Sequence, residues 1–242
     1  MPVTVSSDID TLVFRDWDTR RVGDLFIQGQ GLSGWYGSVK VRESGSDIPQ
    51  QDGVRFPSRL TTAGRPITMP IGILGDDDIR NGQYIDRIND LQERELTFTV
   101  DDLWGRRHCN QTILTADPEP TMNNNAVSWL ATLVFYAFDP LKYGDTQTIK
   151  GANGIIPVSN PGYAPSYPRF SIRQHVTRLD LNYNGFAVTW LGDTNSLDID
   201  LSSMKANTGA LFGEAFKIQR HNTFIRYTGV NNITLQYEPA WR

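Results

Sequence analysis

The chain has 242 residues, of which 39% are hydrophobic and 21% are charged, the usual proportions of a globular protein. Its formal net charge of −4 argues against a general nucleic-acid binder, whose surface would carry excess Lys and Arg. The single cysteine, Cys109, excludes an internal disulfide and the common zinc sites that need several thiolates.

The N-terminus, MPVTVSSDID, has neither the basic start nor the apolar run of a signal peptide. No apolar segment reaches the roughly 20 residues of a membrane helix. We therefore expect a soluble chain made in a reducing cytoplasm, with no membrane insertion.

Period-two alternation predicts strands through most of the first half. The segments WYGSVKVRE at 35–43, RPITMPIGILG at 65–75 and ELTFTV at 95–100 show it. In the first segment Val39 and Val41 alternate with Lys40 and Arg42; in the last, Leu96, Phe98 and Val100 share one face. Strands that alternate in this way bury one face and expose the other.

One segment of the first half has helical periodicity instead. Ile85, Ile88 and Leu91 recur at helical spacing, with charged residues on the other face. The pattern predicts one amphipathic helix over 82–94, packed on the N-terminal sheet. The later run AVSWLATLVFYAFDP, at 126–140, is rich in aromatic and β-branched residues and predicts a buried strand.

The polar, Gly-rich segment 144–154 is typical of a linker or a hairpin at a domain edge. We therefore predict two domains. Residues 1–150 form a β-rich domain with one helix, and residues 151–242 form a β-sandwich whose last strand is a candidate to return to the first domain. The fold class is mainly β.

The segment NPGYAPSYPRFSIR, at 160–173, contains three prolines and should run extended, because each proline restricts the residue before it. Phe170 and Ile172 then share one strand face. Further on, Asn184-Gly185 between two alternating runs is the strongest hairpin signal in the chain. In that hairpin, alternation places Phe186, Val188 and Trp190 on the core face. SLDIDLSS at 196–203 and NITLQYEP at 232–239 add strands.

No cluster of residues has the spacing of an active site or a metal site. His108, His175 and His221 are scattered, and no G-x-S-x-G motif supports a hydrolase. GDDDIRNG resembles a calcium loop, but Arg80 occupies a ligand position and no glutamate lies at the twelfth. We expect Asp76 to Asp78 to solvate a turn before the helix.

Other polar patterns have simpler structural explanations. Asp198 and Asp200 lie about 6.5 to 7 Å apart if they share a strand face, near the spacing of glycosidase carboxylates, but a solvated strand face explains the same spacing without any further function and is the preferred interpretation. GRRHCN at 105–110 is expected to be an exposed turn, and GQGLSG lacks the strand–helix context of a nucleotide loop. We predict no catalytic, cofactor-binding or metal-binding residue.

Three short motifs occur in a characteristic order: DP-x-x-Y-G at Asp139–Gly144, NPG-x-A-x-x-YP at Asn160–Pro168, and GD-x-x-x-LDID at Gly192–Asp200. With the strand–helix–strand order before them, they resemble the distal tail protein (Dit) family of long-tailed bacteriophages. The resemblance covers roughly residues 55 to 201; the first 50 residues and the last 40 add little to it.

The resemblance implies an N-terminal domain that assembles into a hexameric hub ring and a galectin-like C-terminal sandwich that projects outward. The ring would join the tail tube to the tail-tip or baseplate proteins and the tail-associated lysin. DNA would pass through the lumen without specific binding, and the protein would reside in the virion tail tip after synthesis in the host cytoplasm. The chain has no segment long enough for the inserted sugar-binding module of larger members.

A carbohydrate-binding module or adhesin-type tail protein, contacting host glycans, is the alternative. Trp190 and Trp241 are its candidate stacking residues. His221, Asn222 and Arg226 only partly match the galectin sugar-binding pattern, because their spacing differs and no tryptophan–glutamate partner follows.

Overall fold

The structure is a computed structural model that describes residues 1–21, 24–29, 31–37, 46–47, 54–55, 63–74, 78–115, 121–122 and 128–242. The chain divides into two compact units, Met1–Pro140 and Leu141–Arg242. The alternating segment at 35–43 lies largely outside the described residues, as do Asp76 and Asp77.

The described part of the first unit contains ten strands, one α-helix and a short 3₁₀ turn at Trp17–Thr19. The strands are β1 (Val3–Ser6), β2 (Thr11–Arg15), β3 (Asp24–Ile27), β4 (Ser46–Asp47), β5 (Val54–Arg55), β6 (Arg65–Leu74), β7 (Leu96–Asp102), β8 (Gly105–Leu114), β9 (Thr121–Met122) and β10 (Ser128–Ala137). The helix α1 spans Asp78–Asn89.

Seven of these strands form a closed, barrel-like sheet in the order β8-β7-β1-β2-β3-β6-β10. The pairing of Phe135 in β10 with Leu114 in β8 closes it, and β9 extends β10 on the other side. All neighbours are antiparallel except β2 and β3. Closure pairs strands that would otherwise be edges with unsatisfied backbone groups.

Alternate residues of these strands fill the barrel, and Leu96, Phe98 and Val100 share one buried face, as predicted. Val3 lies opposite Val100 and Val5 opposite Phe98 in the β1–β7 ladder, and all four are fully buried. The rings of Phe98 and Phe135 lie 5.1 Å apart. The predicted buried strand at 126–140 is confirmed as β10.

The helix is confirmed, but its predicted bounds were wrong: it begins four residues earlier and ends at Asn89. Its end follows from local geometry, because the Leu91 amide bonds to the Ile88 carbonyl in a tightened turn and Glu93 has a positive φ of 62°. Ile88 and Leu91 are buried in the core of the first unit, and Ile85 packs against it. Leu91 therefore packs into this core from the turn that follows the helix.

The second unit consists of β11 (Lys142–Tyr143), β12 (Gln147–Gly151), β13 (Ile155–Asn160), β14 (Arg169–Ile172), β15 (Val176–Tyr183), β16 (Phe186–Thr194), β17 (Leu197–Asp200), β18 (Lys205–Ala206), β19 (Ala210–Gly213), β20 (His221–Thr228), β21 (Ile233–Tyr237) and β22 (Ala240–Trp241). Two five-stranded sheets, β12-β21-β14-β17-β18 and β13-β20-β15-β16-β19, share one core to which both contribute apolar residues. This arrangement is a β-sandwich.

Of the two alternatives for the polar segment at 144–154, the structure has the hairpin and not the linker. β12 pairs along its whole length with β21, and a tight turn closed by hydrogen bonds between Ala152 and Ile155 leads into β13. Hydrogen bonding to a distant strand makes these polar residues part of the second unit, so the units divide at Pro140 rather than at 150. The last strand, β22, pairs with β11 of the same unit; its return to the first domain stays a prediction.

The Asn184-Gly185 hairpin is confirmed. Both residues have positive φ, 50° and 87°, as a two-residue turn of this type requires, and they join β15 to β16. Val188 and Trp190 are buried as predicted, but Phe186 is 46% exposed. Phe186 directly follows the turn, at the end of the hairpin.

Candidate subunit interface

The hairpin between β7 and β8 carries two large apolar residues at its tip. Asp102 pairs with Gly105 as the last rung of the ladder, so Leu103 and Trp104 form the turn. Leu103 is fully exposed and Trp104 is 67% exposed. Hairpin turns usually carry Gly, Asn, Asp or other small polar residues, so an exposed Leu-Trp pair needs an explanation beyond the turn itself.

Local hydrogen bonds hold this tip in one conformation. The Trp104 amide donates to Asp102 Oδ1 at 2.8 Å, and Arg107 donates from Nη2 to the Trp104 carbonyl at 3.3 Å. Gly105 takes a positive φ of 98°, a conformation that favours glycine. The apolar side chains are therefore presented by an ordered turn.

Tyr36, from a distant loop, supports the tip. Its ring packs edge-on against Trp104 with centroids 5.4 Å apart, and its hydroxyl donates to Asp102 Oδ2 at 3.2 Å. Burial, together with the Asp102 carboxylate, raises the pKa of Tyr36 to about 12. The hydroxyl therefore stays protonated and remains a donor at neutral pH.

A buried arginine fixes the loop that carries Tyr36. Arg65 is only 2% exposed, and its Nη1 lies 2.7, 3.1 and 2.9 Å from the carbonyl oxygens of Gly34, Trp35 and Gly37. Its Nε donates to the Pro140 carbonyl at 3.0 Å. These bonds bracket Tyr36 on both sides, so residues 34–37 are tied to the start of β6 beside the tip.

The tip borders an apolar groove of about 480 Å³. Its lining residues are Met1, Pro2, Tyr36, Asp101, Asp102, Leu103 and Trp104. Exposed apolar surface of this kind, rimmed by polar groups, marks protein-binding sites, and Trp and Tyr are the residues most enriched at the centres of interfaces. The groove and tip together form the candidate subunit interface.

Comparison with known proteins gives a result at the level of structure. No protein-family model matches this chain, and no curated protein matches it. The crystal structure of the SPP1 Dit protein matches with a TM-score of 0.72, over 99% of this chain and 99% of that chain, at 17% sequence identity. The chain has the Dit fold.

A chain of the phage P2 baseplate in its activated conformation with Ca also matches, with a TM-score of 0.49 over 98% of this chain and 97% of that chain, at 9% identity.

The structure does not bring together into one site the polar residues that the sequence analysis considered as catalytic or metal-binding candidates. His175 is exposed with Nε2 3.1 Å from Asp193, while His108 and His221 lie on β8 and β20. GRRHCN is part of strand β8 rather than an exposed turn, because β7 pairs with it. Within the described residues, no group of three His, Cys, Asp or Glu side chains could hold a metal.

The two candidate carboxylates are each occupied by neighbours. Asp198 accepts from Ser171 Oγ at 2.6 Å and from Arg173 Nη2 at 2.8 Å. Asp200 accepts from the Ser202 amide and hydroxyl at 2.8 and 2.6 Å. Burial is the largest single influence on both carboxyl groups and raises the pKa. Hydrogen bonds of this kind lower it, and the pKa of each group lies below its ordinary value. Neither carboxylate has the raised pKa of a general acid.

Of the two candidate sugar-stacking tryptophans, Trp190 cannot contact a sugar. Trp190 is fully buried, and its indole nitrogen donates to the Thr208 carbonyl at 2.6 Å. Trp241 lies on β22 and is partly exposed.

Sequence reasoning, in turn, missed Leu103 and Trp104. The signal was present in VDDLWGRR, where an alternating strand meets a turn that contains two large apolar residues.

Proposed function

We propose that this chain is a structural distal tail protein of a long-tailed bacteriophage. It forms a hexameric hub ring that joins the tail tube to the tail-tip or baseplate proteins and surrounds the channel through which DNA leaves. The single observation that carries this proposal is the Dit fold, which extends over 99% of both chains. The matched SPP1 protein is described as a paradigm of the hub adsorption apparatus in phages that infect Gram-positive bacteria.

The first unit supplies the ring contacts in this proposal. A ring needs a head-to-tail interface whose rotation closes, so each subunit must present a knob and accept its neighbour's knob elsewhere. The tip at Leu103 and Trp104 is a rigid apolar knob on this unit. Its burial between subunits would remove the two most unfavourable solvent contacts of the hairpin.

The role of the protein is structural rather than catalytic, with no cofactor. The net charge of −4 suits a channel that lets DNA pass without specific binding. The second unit, a galectin-like sandwich, sits at the ring periphery and contributes little to closure. The protein works in the virion after synthesis in the host cytoplasm, without insertion into a membrane; no helix in the described residues is long and apolar enough to span one.

Electron microscopy of purified tail tips tests the proposal directly. Subunits should form a six-fold ring around a channel wide enough for duplex DNA, with the density of the second unit at the periphery. Isolated, outward-pointing spikes would contradict the hub assignment and favour the adhesin alternative. Because isolated subunits can stay monomeric without a neighbouring tail protein, the assembled particle is the decisive sample.

A further inference from the structure

A strip of two tyrosines and two cations lies on the surface of the second unit. Tyr163 and Tyr167 are 62% and 39% exposed, and Lys217 and Arg220 are exposed beside them. We call these four residues the Tyr–cation strip. The proposed hub function assigns no role to them.

The strip is formed by two extended segments that lie side by side. The amide of Ser166 donates to the Ile218 carbonyl at 3.1 Å, and the Ile218 amide donates back at 2.8 Å. Around this bridge, alternate residues of 160–168 are buried and their neighbours are exposed. The antiparallel register therefore places Tyr167 directly opposite Lys217.

Buried anchors hold the two segments together. Asn160 is 3% exposed; it donates from Nδ2 to the Ile218 carbonyl at 3.2 Å and accepts from the Gly162 amide at 2.9 Å. A side chain at Gly162 would meet the Ala240 backbone at 2.5 Å, so this position requires glycine. With three prolines in the segment, the tyrosines are displayed on a stiff support, which lowers the entropy lost when a ligand binds.

Each cation of the strip is held by an aromatic ring rather than by a carboxylate. Arg220 Cζ lies 3.9 Å from the centroid of Tyr163, and Lys217 Nζ lies 4.5 Å from that of Tyr167, both within cation–π range. Neither cation forms an ion pair with a described carboxylate.

Three arginines of the same unit, by contrast, are neutralised by carboxylates. Arg169 pairs with Asp200, Arg173 with Asp198 and Arg178 with Asp180, at 3.3, 2.8 and 2.8 Å. Lys217 and Arg220 are therefore positioned cations whose charge remains available to a ligand, on a chain that is acidic overall.

The geometry of the strip indicates the class of ligand. Residues four apart in an extended segment are separated by about 13 Å, so one small anion cannot reach both ends. The ligand must be extended and carry several negative charges. A cation lies over one face of each tyrosine ring, and the exposed part of each ring can pack against a peptide.

We propose that the Tyr–cation strip binds an extended acidic peptide segment of a partner protein. Lys217 and Arg220 pair with its carboxylates, while Tyr163 and Tyr167 orient the two cations and pack against the peptide. The site lies within the second unit, so it does not depend on ring formation and can be tested on the monomer.

The test is fluorescence anisotropy with the full-length protein and a labelled peptide of alternating Glu and Ala, about ten residues long so that it spans the strip. We expect saturable binding that weakens as salt rises to about 150 mM, and none to a peptide of alternating Gln and Ala. K217E/R220E should raise the Kd roughly tenfold. Y163A/Y167A should raise it about threefold, because the cations lose the rings that position them.

The matched control is K150E/K205E, which makes the same change in net charge at two exposed lysines of the same unit. It should leave the Kd within about twofold. Equal weakening by both charge-reversal pairs would show non-specific attraction and overturn the proposal. So would unchanged binding by K217E/R220E, failure of the wild-type protein to bind the acidic peptide, or binding of an anionic polysaccharide in its place. All four substituted side chains of the strip are exposed, and thermal melts will show that the variants are folded.

Discussion

Replacing Trp104 by alanine should weaken subunit assembly without unfolding the subunit. The side chain is 67% exposed, and a tryptophan offers up to about 250 Å² for burial, so about 170 Å² becomes available to a neighbour. At about 25 cal/mol per Å² this is about 4 kcal/mol. The alanine side chain retains part of this burial free energy. The substitution therefore costs about 3 kcal/mol of association free energy per interface, which raises the dissociation constant of the interface roughly a hundredfold.

The effect should appear in assembly and be nearly absent from folding. The same contact recurs around a ring, so W104A should strongly reduce the fraction of tail tips that carry a complete ring in electron micrographs after complementation with the variant. Purified W104A should change its unfolding free energy by less than about 1.5 kcal/mol, because in the isolated subunit only the edge contact with Tyr36 is lost.

Ile79→Ala is the matched control, since Ile79 is 75% exposed on α1 but lies outside the groove. It should assemble as the wild type does. If W104A forms rings as well as I79A, the hairpin tip is not a subunit contact and the assignment of the interface is wrong.

Four further outcomes are expected. Ile88→Ala should lower the unfolding free energy by about 2 to 5 kcal/mol in a denaturant titration, because Ile88 is 1% exposed; an unchanged midpoint would contradict its place in the core. The hydrogen bond from Arg87 lowers the pKa of Asp10, so the stability it contributes is present above the unfolded pKa and is lost as pH falls through the folded one. Asp10→Asn should therefore lose less stability than the wild type between about pH 6 and about pH 3. EDTA should leave the melting temperature unchanged, and a shift of several degrees would reveal a structural metal. A glycan array probed with the full chain should show no competable hit, since a clear one would support the carbohydrate-binding alternative.

Local stereochemistry and hydrophobic alternation were sufficient to predict several elements. The Asn184-Gly185 turn follows from two residues that tolerate positive φ. The strand faces at Leu96, Phe98 and Val100 follow from period-two alternation around a single core. The extended course of the proline segment follows from the fixed φ of its prolines. None of these features requires a partner distant in the sequence.

The conformation of two polar segments depends instead on pairing with another strand. Residues 147–151 have the polar composition of a linker or a domain-edge hairpin, and they form a strand because β21, more than 80 residues later, supplies their hydrogen bonds. GRRHCN reads as a turn, but its pairing with β7 extends β8 through it. Polar segments carry little hydrophobic periodicity, so only the backbone partner decides their conformation.

Both proposed binding surfaces belong to this second kind. The sequence predicts that a turn follows Asp102, and it contains the tyrosines of the proline segment. The tertiary structure alone brings Tyr36 against Trp104, through a loop held by Arg65, and Arg220 over Tyr163. The two ring contacts join residues more than 50 positions apart, and no local preference encodes them. They form because closing the barrel and pairing the sandwich segments fix the backbones that carry them.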